Sequence, residues 1–222
     1  MDLPTGHELS EFANALIHSR QNVLPRRLDE PGPSPQQLQE ILGAAAAAPD
    51  HGRLMPWRFV IVPTARRERL AEVFGQALVD RDPNASLAQI DNAREKAHRA
   101  PFLMLAIVRL AGGEVRASKA PERDAHHPEA TEATEATEAE VSDAERFVSF
   151  GCAIQNIVLS AHAAGFGTGL TSGQAMASPR LRALFGLGEN EQAVCCINIG
   201  TVTRHKPVRL RPAVSDYVSE LD

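Results

Sequence analysis

Ala48-Pro49-Asp50-His51-Gly52-Arg53-Leu54-Met55-Pro56-Trp57 is the stretch on which the reading of this chain turns. An alanine-rich helical pattern runs into it. A short apolar strand, Arg58-Phe59-Val60-Ile61-Val62, runs out of it. Pro49 ends the helix, because proline restricts the residue before it and cannot continue the hydrogen-bond ladder. Pro56 closes the other side, and Asp50, His51 and Arg53 lie between, with Gly52 giving the backbone room to bend. Two readings are open. The segment is a helix-to-strand turn whose tryptophan is simply core, or it is a pinned polar loop that presents groups to a ligand.

Upstream, residues 8–19 place Phe12, Ala15, Leu16 and Ser19 on one face of an amphipathic helix. That helix runs into Arg20-Gln21-Asn22-Val23-Leu24-Pro25-Arg26-Arg27. Three arginines and two amides just past a helix end form either a solvated basic loop or an anion site, since the guanidinium fork matches phosphate geometry. Pro31, Gly32 and Pro33 mark a turn. Ser34-Pro35-Gln36-Gln37 then starts a helix with a capping box and proline at its first position, and Leu38, Ile41, Leu42 and Ala45 form its apolar stripe.

Downstream, residues 65–80 read as an amphipathic helix with Leu70, Val73, Phe74 and Ala77 inward. Residues 85–98 read as a more polar, peripheral one. Pro101-Phe102-Leu103-Met104-Leu105-Ala106-Ile107-Val108 is a continuous apolar run, the signature of a strand buried on both faces. Residues 111–140 contain Thr-Glu-Ala three times and no large apolar residue, so they read as a low-complexity insertion that cannot bury enough surface to offset its ordering entropy. His126-His127 within it is an exposed pair rather than a metal site. Ser142-Asp143-Ala144-Glu145 is a second capping box. The helix it opens, 143–164, is apolar nearly all round and therefore central.

Gly165 suits the C-terminal end of that helix. Gly165-Phe166-Gly167-Thr168-Gly169-Leu170-Thr171-Ser172-Gly173 follows. A helix leads into these glycines, whereas a dinucleotide fingerprint needs strand, glycines, then helix, so that reading fails. A short strand and a loop with exposed amides fits better. Ser178-Pro179 starts a short helix ending at Gly186. Ala193-Val194-Cys195-Cys196-Ile197-Asn198-Ile199 is a buried strand. The tail carries Arg204, His205, Lys206, Arg209 and Arg211, then a helical pattern from Val214 to Leu221.

With 222 residues, 43% hydrophobic and 23% charged, the chain has the composition of one globular domain. A net charge of −5 argues against nucleic-acid or anionic-membrane partners. Met1-Asp2-Leu3-Pro4 has no basic region followed by an apolar one, which points to a cytoplasmic protein. The uncharged run between Arg146 and Arg180 is long enough for a bilayer, but its Ser149, Gln155, Asn156, Ser160 and His162 favour a helix buried in protein. Cys152, Cys195 and Cys196 form no Cys-x-x-Cys, so buried reduced thiols are expected and no structural metal.

No paired carboxylates, metal cluster or nucleophilic triad stands out. Two arginine-rich loops, a pinned polar loop and a glycine loop remain. Anion-binding groups without chemistry of their own suggest a borrowed cofactor, and a phosphate-bearing flavin fits.

The residues now carry a resemblance. Arg20-Gln21-Asn22-Val23 looks like the Arg-Arg-Ser-Val type opening of the nitroreductase family. Ala48-Pro49-Asp50-His51 with Pro56-Trp57, then Gly-Phe-Gly and Ile-Gly-Thr in the same order, resembles its small NAD(P)H-using bacterial members. The match covers most of the chain outside 111–140. It implies an α+β, three-layer α/β/α fold with a mainly antiparallel central sheet, a long buried central helix and a dimeric state. It implies FMN at the interface of a homodimer, NADH or NADPH as co-substrate, and a ping-pong cycle in which flavin N5 carries the chemistry and no side chain is catalytic. The acceptor would be nitro-aromatic, quinone-like or otherwise electron-poor. By the same resemblance Arg20, Gln21 and Asn22 would hold the phosphate, ribityl chain and pyrimidine edge. His51 would come from the partner subunit. Leu170, Thr171 and Ser172 would lie along the ring with a backbone N–H near N5, and Arg209 or Arg211 would add to the phosphate site. Gln21, Asn22 and Met55 depart from the basic residue, serine and glutamine usual there. A flavin-binding protein without turnover, or a degradative or dehalogenating enzyme of the same fold, are the alternatives.

Overall fold

The computed structural model describes residues 5–112, 141–204, 207 and 210–221. The expected insertion therefore falls almost wholly outside the described residues, as do His126, His127 and Arg209.

A five-stranded antiparallel sheet forms the middle layer. Its strands are β1 (Leu28–Asp29), β2 (Trp57–Ile61), β3 (Phe102–Arg109), β4 (Gly167–Thr171) and β5 (Glu191–Val202). β5 pairs with β3 along one edge and β4 along the other, since Ile199 faces both Phe102 and Thr168. β2 lies beyond β3, and β1 pairs with Thr201 and Val202. β3 is the doubly buried strand the apolar run predicted, with Leu103 to Val108 at most 1% exposed.

Helix α5 (Asp143–Ala163) packs on one face of the sheet together with α2 (Pro35–Gly43). Ser142 caps α5 through the expected box with Glu145. Phe150, Ala153, Ile154, Ile157, Val158 and Ala161 meet Met104, Ala106, Val108, Ile197 and Ile199. Truncating the fully buried Ile157 to alanine removes transfer energy and leaves a cavity, costing about 2–5 kcal/mol. Helices α3 (Arg67–Arg81) and α6 (Pro179–Phe185) cover the other face, over Leu103, Leu105, Ile107 and Cys196. A bulge at Val194 sets Ala193 and Cys195 on opposite sides of the sheet, because Ala106 pairs Cys195 while Ile107 pairs Ala193. Cys195 and Cys196 also face opposite layers, and burial pushes their thiols up to about 11 and about 12. The three-layer, mainly antiparallel architecture is the one expected.

Three expectations need correction. Helix α1 (Gly6–Ser19) forms, capped by Thr5 and Glu8, but buries none of its residues; Phe12 is 62% exposed. Central α5 is not covered all round, since Val148 is 66% exposed. The tail makes only a 3-10 turn at Val214–Asp216 in place of a helix. Val214, Val218 and Leu221 stay exposed among the described residues, and a short helical pattern without a surface to bury does not hold alone. No helix of the described residues is long and apolar enough to cross a membrane.

Candidate functional site

The pinned loop is a rigid knuckle. The Asp50 carboxylate accepts the Met55 amide at 2.6 Å, Arg109 donates to the Met55 carbonyl at 2.8 Å, and the His51 amide donates to Ser149 Oγ at 3.3 Å. Gly52 has φ 68°, and the non-glycine residues Arg53 and Met55 have φ 55° and 45°. Left-handed backbone at two side-chain-bearing residues is strained, and those bonds hold it. Trp57 is buried between the sheet and its helices, while His51 and Arg53 face outward. His51 Nε2 lies 3.4 Å from Glu145 Oε1, in the first turn of α5. Hydrogen bonds from Ser142, with His51 adding to them, hold that carboxyl below its usual range.

Arg20, Gln21 and Asn22 lie at the other end of α5. They line a cleft of about 250 Å³ with Arg27, Arg204 and His162, and no carboxylate lines it among the described residues. His162, in the last turn of α5, is 2.7 Å from Ser19 Oγ. Arg211 donates to the Arg20 carbonyl at 2.9 Å. Burial, then the charge of Arg211, lower the pKa of Arg20. The group stays protonated. Two guanidiniums drawn together without a carboxylate repel each other, and an anion between them removes that cost.

The 22–23 segment runs along the free edge of β4. Val23 donates to the Thr168 carbonyl at 2.8 Å, and Asn22 Oδ1 accepts the Leu170 amide at 3.0 Å. This close approach explains two of the alternate glycines. A Cβ at Gly169 would strike the Val23 carbonyl, and one at Gly167 would strike Val202 and Leu28. The clearance they create is filled by the chain itself.

β4 leads to a second cavity. Leu170 is 41% exposed, and its amide is already used by Asn22. Thr171 and Ser172 border a cavity of about 590 Å³, with Phe74, Leu78 and Leu103 among its apolar walls. The Ser172 amide donates to no group among the described residues. Beneath Thr171 the buried Asn198 donates from Nδ2 to the Gly169 carbonyl at 3.0 Å and to Thr171 Oγ1 at 3.1 Å. A carbonyl can only accept, so the amide orientation is fixed, and Asn198 Oδ1 is left without a partner among the described residues. Because Thr171 Oγ1 accepts from Asn198, its own proton is free for another acceptor.

Sequence reading missed the far wall of this cavity. Gln89 and Asn92 of α4 (Leu87–Glu95), with Lys96 in the 3-10 turn after it and Arg99 just past that turn, line it, as does Arg81 at the end of α3. A signal was present: residues 89, 92, 96 and 99 recur at helical spacing on a polar stripe beside the buried Ala93, Ala97 and Ala100, and Ala93 borders the same cavity. Leu24 borders both the cleft and the cavity. No group of three or more His, Cys, Asp or Glu able to hold a metal occurs among the described residues.

The sequence from residue 20 to 201 matches the model of the nitroreductase family. The chain belongs to that family. It is 31% identical over 175 residues to an Escherichia coli K12 protein named for an assumed NAD(P)H nitroreductase activity, covering 79% of this chain and 81% of that one. A Haemophilus influenzae protein named in the same way is 28% identical over 176 residues, covering 79% and 82%. Among solved structures, a nitroreductase-like family protein from Bacillus cereus superposes with a TM-score of 0.71 at 17% identity, covering 100% of this chain and 99% of that one. An FMN-dependent nitroreductase from Mycobacterium smegmatis, solved with NADPH, superposes with 0.66 at 16% identity, covering 96% and 100%. These likenesses show the fold.

Proposed function

We propose that this nitroreductase-family chain is an FMN-dependent oxidoreductase that uses NADH or NADPH to reduce nitro-aromatic, quinone-like or other electron-poor small molecules in a ping-pong cycle. The observation that carries the reading is the Arg20–Arg211 pair. It stands without a carboxylate among the described residues at one end of a path that passes Asn22 and Leu24 and ends at the free Ser172 amide and the larger cavity.

When bound, FMN takes two electrons and a proton from the nicotinamide and passes them to the acceptor, so that NAD(P)H + H⁺ + R–NO2 gives NAD(P)⁺ + R–NO + H2O. In this reading Arg20 and Arg211 hold the phosphate, and Gln21 and Asn22 bond the ribityl chain. Leu170 and Thr171 flank the ring, and the Ser172 N–H points at its central edge. Asn92 and Lys96 face the pyrimidine edge, where negative charge develops on reduction and a cation is worth most. Arg209, outside the described residues, is a candidate third phosphate ligand.

The protein works as a homodimer in this reading, and His51 comes from the second copy. Leu9, Phe12 and Ile17 on α1 and Phe147 and Val148 on α5 are large exposed apolar side chains that a second copy would cover. The decisive experiment is anaerobic addition of NADH and of NADPH to the purified protein loaded with FMN. The yellow colour should bleach with one or both and return on adding a nitro-aromatic. A protein that stays yellow is a flavin binder without turnover. One that takes up no FMN refutes the reading.

A further inference from the structure

The larger cavity has a charge pattern that a flavin alone does not use. Arg81, Lys96 and Arg99 line it, and no Asp or Glu does among the described residues. Arg81 ends α3 and makes no ion pair or hydrogen bond among the described residues, although its neighbour Asp80 is held by Arg180 at 2.6 Å. Arg99 pairs with Glu95 at 3.0 Å through one terminal nitrogen, but its Nε is buried and bonded to nothing among the described residues. The walls between these cations mix the apolar Phe74, Leu78, Leu103 and Met176 with the amides of Gln89, Asn92 and Gln174. The cavity of about 590 Å³, within the roughly 300–1,000 Å³ of small-molecule sites, is shared by the flavin ring and the acceptor in this proposal. Apolar surface beside the unpaired Arg81 guanidinium and the unused Nε of Arg99 suits a flat molecule that carries a carboxylate or another anionic group, because the arginine fork matches that geometry.

Building on the oxidoreductase reading above, we propose that the electron acceptor is an anionic aromatic or quinone-like small molecule, seated against Ser172–Gly173 with its anionic group on Arg81 and Arg99. Phosphate at Arg20 and Arg211 and anion at Arg81 and Arg99 are then two separate recognitions on the two sides of Leu24. The acceptor's electrons come from NAD(P)H by the balance already written, and its anionic group takes no part in the redox step.

The test uses the FMN-loaded protein and two acceptors of nearly the same shape, 4-nitrobenzoate and 4-nitrobenzamide. Steady-state kcat/KM should favour the anion by about tenfold at low ionic strength, as expected for a desolvated guanidinium–carboxylate contact. The preference should shrink as salt shortens the Debye length from about 20 Å to about 6 Å. In Arg81→Glu the ratio should reverse, and in Arg81→Gln it should fall toward one. FMN affinity measured on the same samples shows whether a change comes through the flavin. Equal kcat/KM for the two acceptors, or a preference that neither salt nor Arg81→Glu alters, overturns the proposal while leaving the oxidoreductase reading intact. If no nicotinamide reduces the bound flavin, that reading fails and this one with it.

Discussion

His51 and His162 stand at opposite ends of helix α5. His51 reaches Glu145 in the first turn at 3.4 Å, and His162 reaches Ser19 in the last turn at 2.7 Å. Seventeen residues of helix separate Glu145 from His162, about 26 Å at 1.5 Å per residue. The Arg20 cleft lies at the His162 end. Within one chain, then, the pinned loop is a helix length away from the candidate phosphate site. In the proposed reading, the loop beside each flavin is therefore that of the second copy.

That separation predicts complementation between two inactive proteins. His51→Ala and Arg20→Ala each impair the enzyme alone. Mixed and allowed to exchange subunits, they form heterodimers in which one site has both wild-type residues and the other has neither. With free exchange at equal amounts, about a quarter of all sites should be restored, because half the dimers are mixed and one of two sites in each is whole. If both residues serve the same chain's flavin, every site keeps a defect and mixing restores nothing.

Arg20→Ala should weaken FMN binding by about 1.5–3 kcal/mol, the worth of a hydrogen bond to a charged group. Riboflavin, which lacks the phosphate, supplies the control: its affinity should barely move. Arg20→Lys keeps the charge but loses the fork, so it should fall between the two. Fluorescence-quenching titrations of both ligands decide it. Equal losses for FMN and riboflavin would show that Arg20 acts on the fold rather than on the phosphate.

Much of this arrangement could be read from the chain because it rests on local rules. Capping boxes at Ser34 and Ser142 begin α2 and α5, and the unbroken apolar run of β3 marks the sheet centre. The misses have a common physical cause, which is that periodicity reports an apolar face without saying what covers it. The face of α1 carrying Phe12 and the side of α5 carrying Val148 are as apolar as buried faces, yet none of the described residues covers them. The polar set 89, 92, 96 and 99 reads as a solvated face until topology brings it opposite Thr171. Alternate glycines at 167 and 169 looked like a ligand loop; only the parallel bridge from Asn22 to Thr168 reveals that they admit another strand.

Gly169→Ala tests that bridge. The added methyl meets the Val23 carbonyl, which is backbone and cannot turn aside. Segment 22–24 must move off β4, breaking the Val23–Thr168 and Leu170–Asn22 bonds. The variant should lose about 1–3 kcal/mol of stability, as for an overpacked core, and should bind FMN more weakly than its residual fold explains. Urea denaturation and FMN titration on the same sample separate the two effects. Wild-type values in both would mean that segment 22–24 is not held against β4 in solution.

Asn198 offers a polar test inside the sheet. Asn198→Ala removes both donors and leaves the Gly169 carbonyl and the Thr171 hydroxyl unsatisfied, at about 1–3 kcal/mol. In the variant Thr171 is free to rotate, so flavin affinity and the rate of reduction by NAD(P)H should both fall. Thr171→Val, which keeps the shape but not the hydroxyl, should reproduce the functional loss with less destabilisation. If Thr171→Val behaves as wild type, the hydroxyl does no work at the site.

Arg58 and Glu191 tie β2 to β5 across β3 through two bonds of 2.6 and 2.7 Å. Those bonds, with a further one from the Gly188 amide, hold the Glu191 carboxyl below its usual range. A depressed carboxylate pKa means that the unfolded chain binds the proton more tightly, so the linked stability exists above the unfolded pKa of about 4.3 and is lost as pH falls through the lower folded value. Glu191→Gln should therefore cost about 1–2 kcal/mol at pH 7, less than a fully buried pair because Arg58 is 34% exposed. The difference between wild type and variant should narrow progressively below about pH 4.3. Denaturant midpoints of the two proteins across that range give the measurement. A difference that stays constant into acid would assign the effect to the geometry of the carbonyl-for-carboxylate exchange rather than to the charge on Glu191.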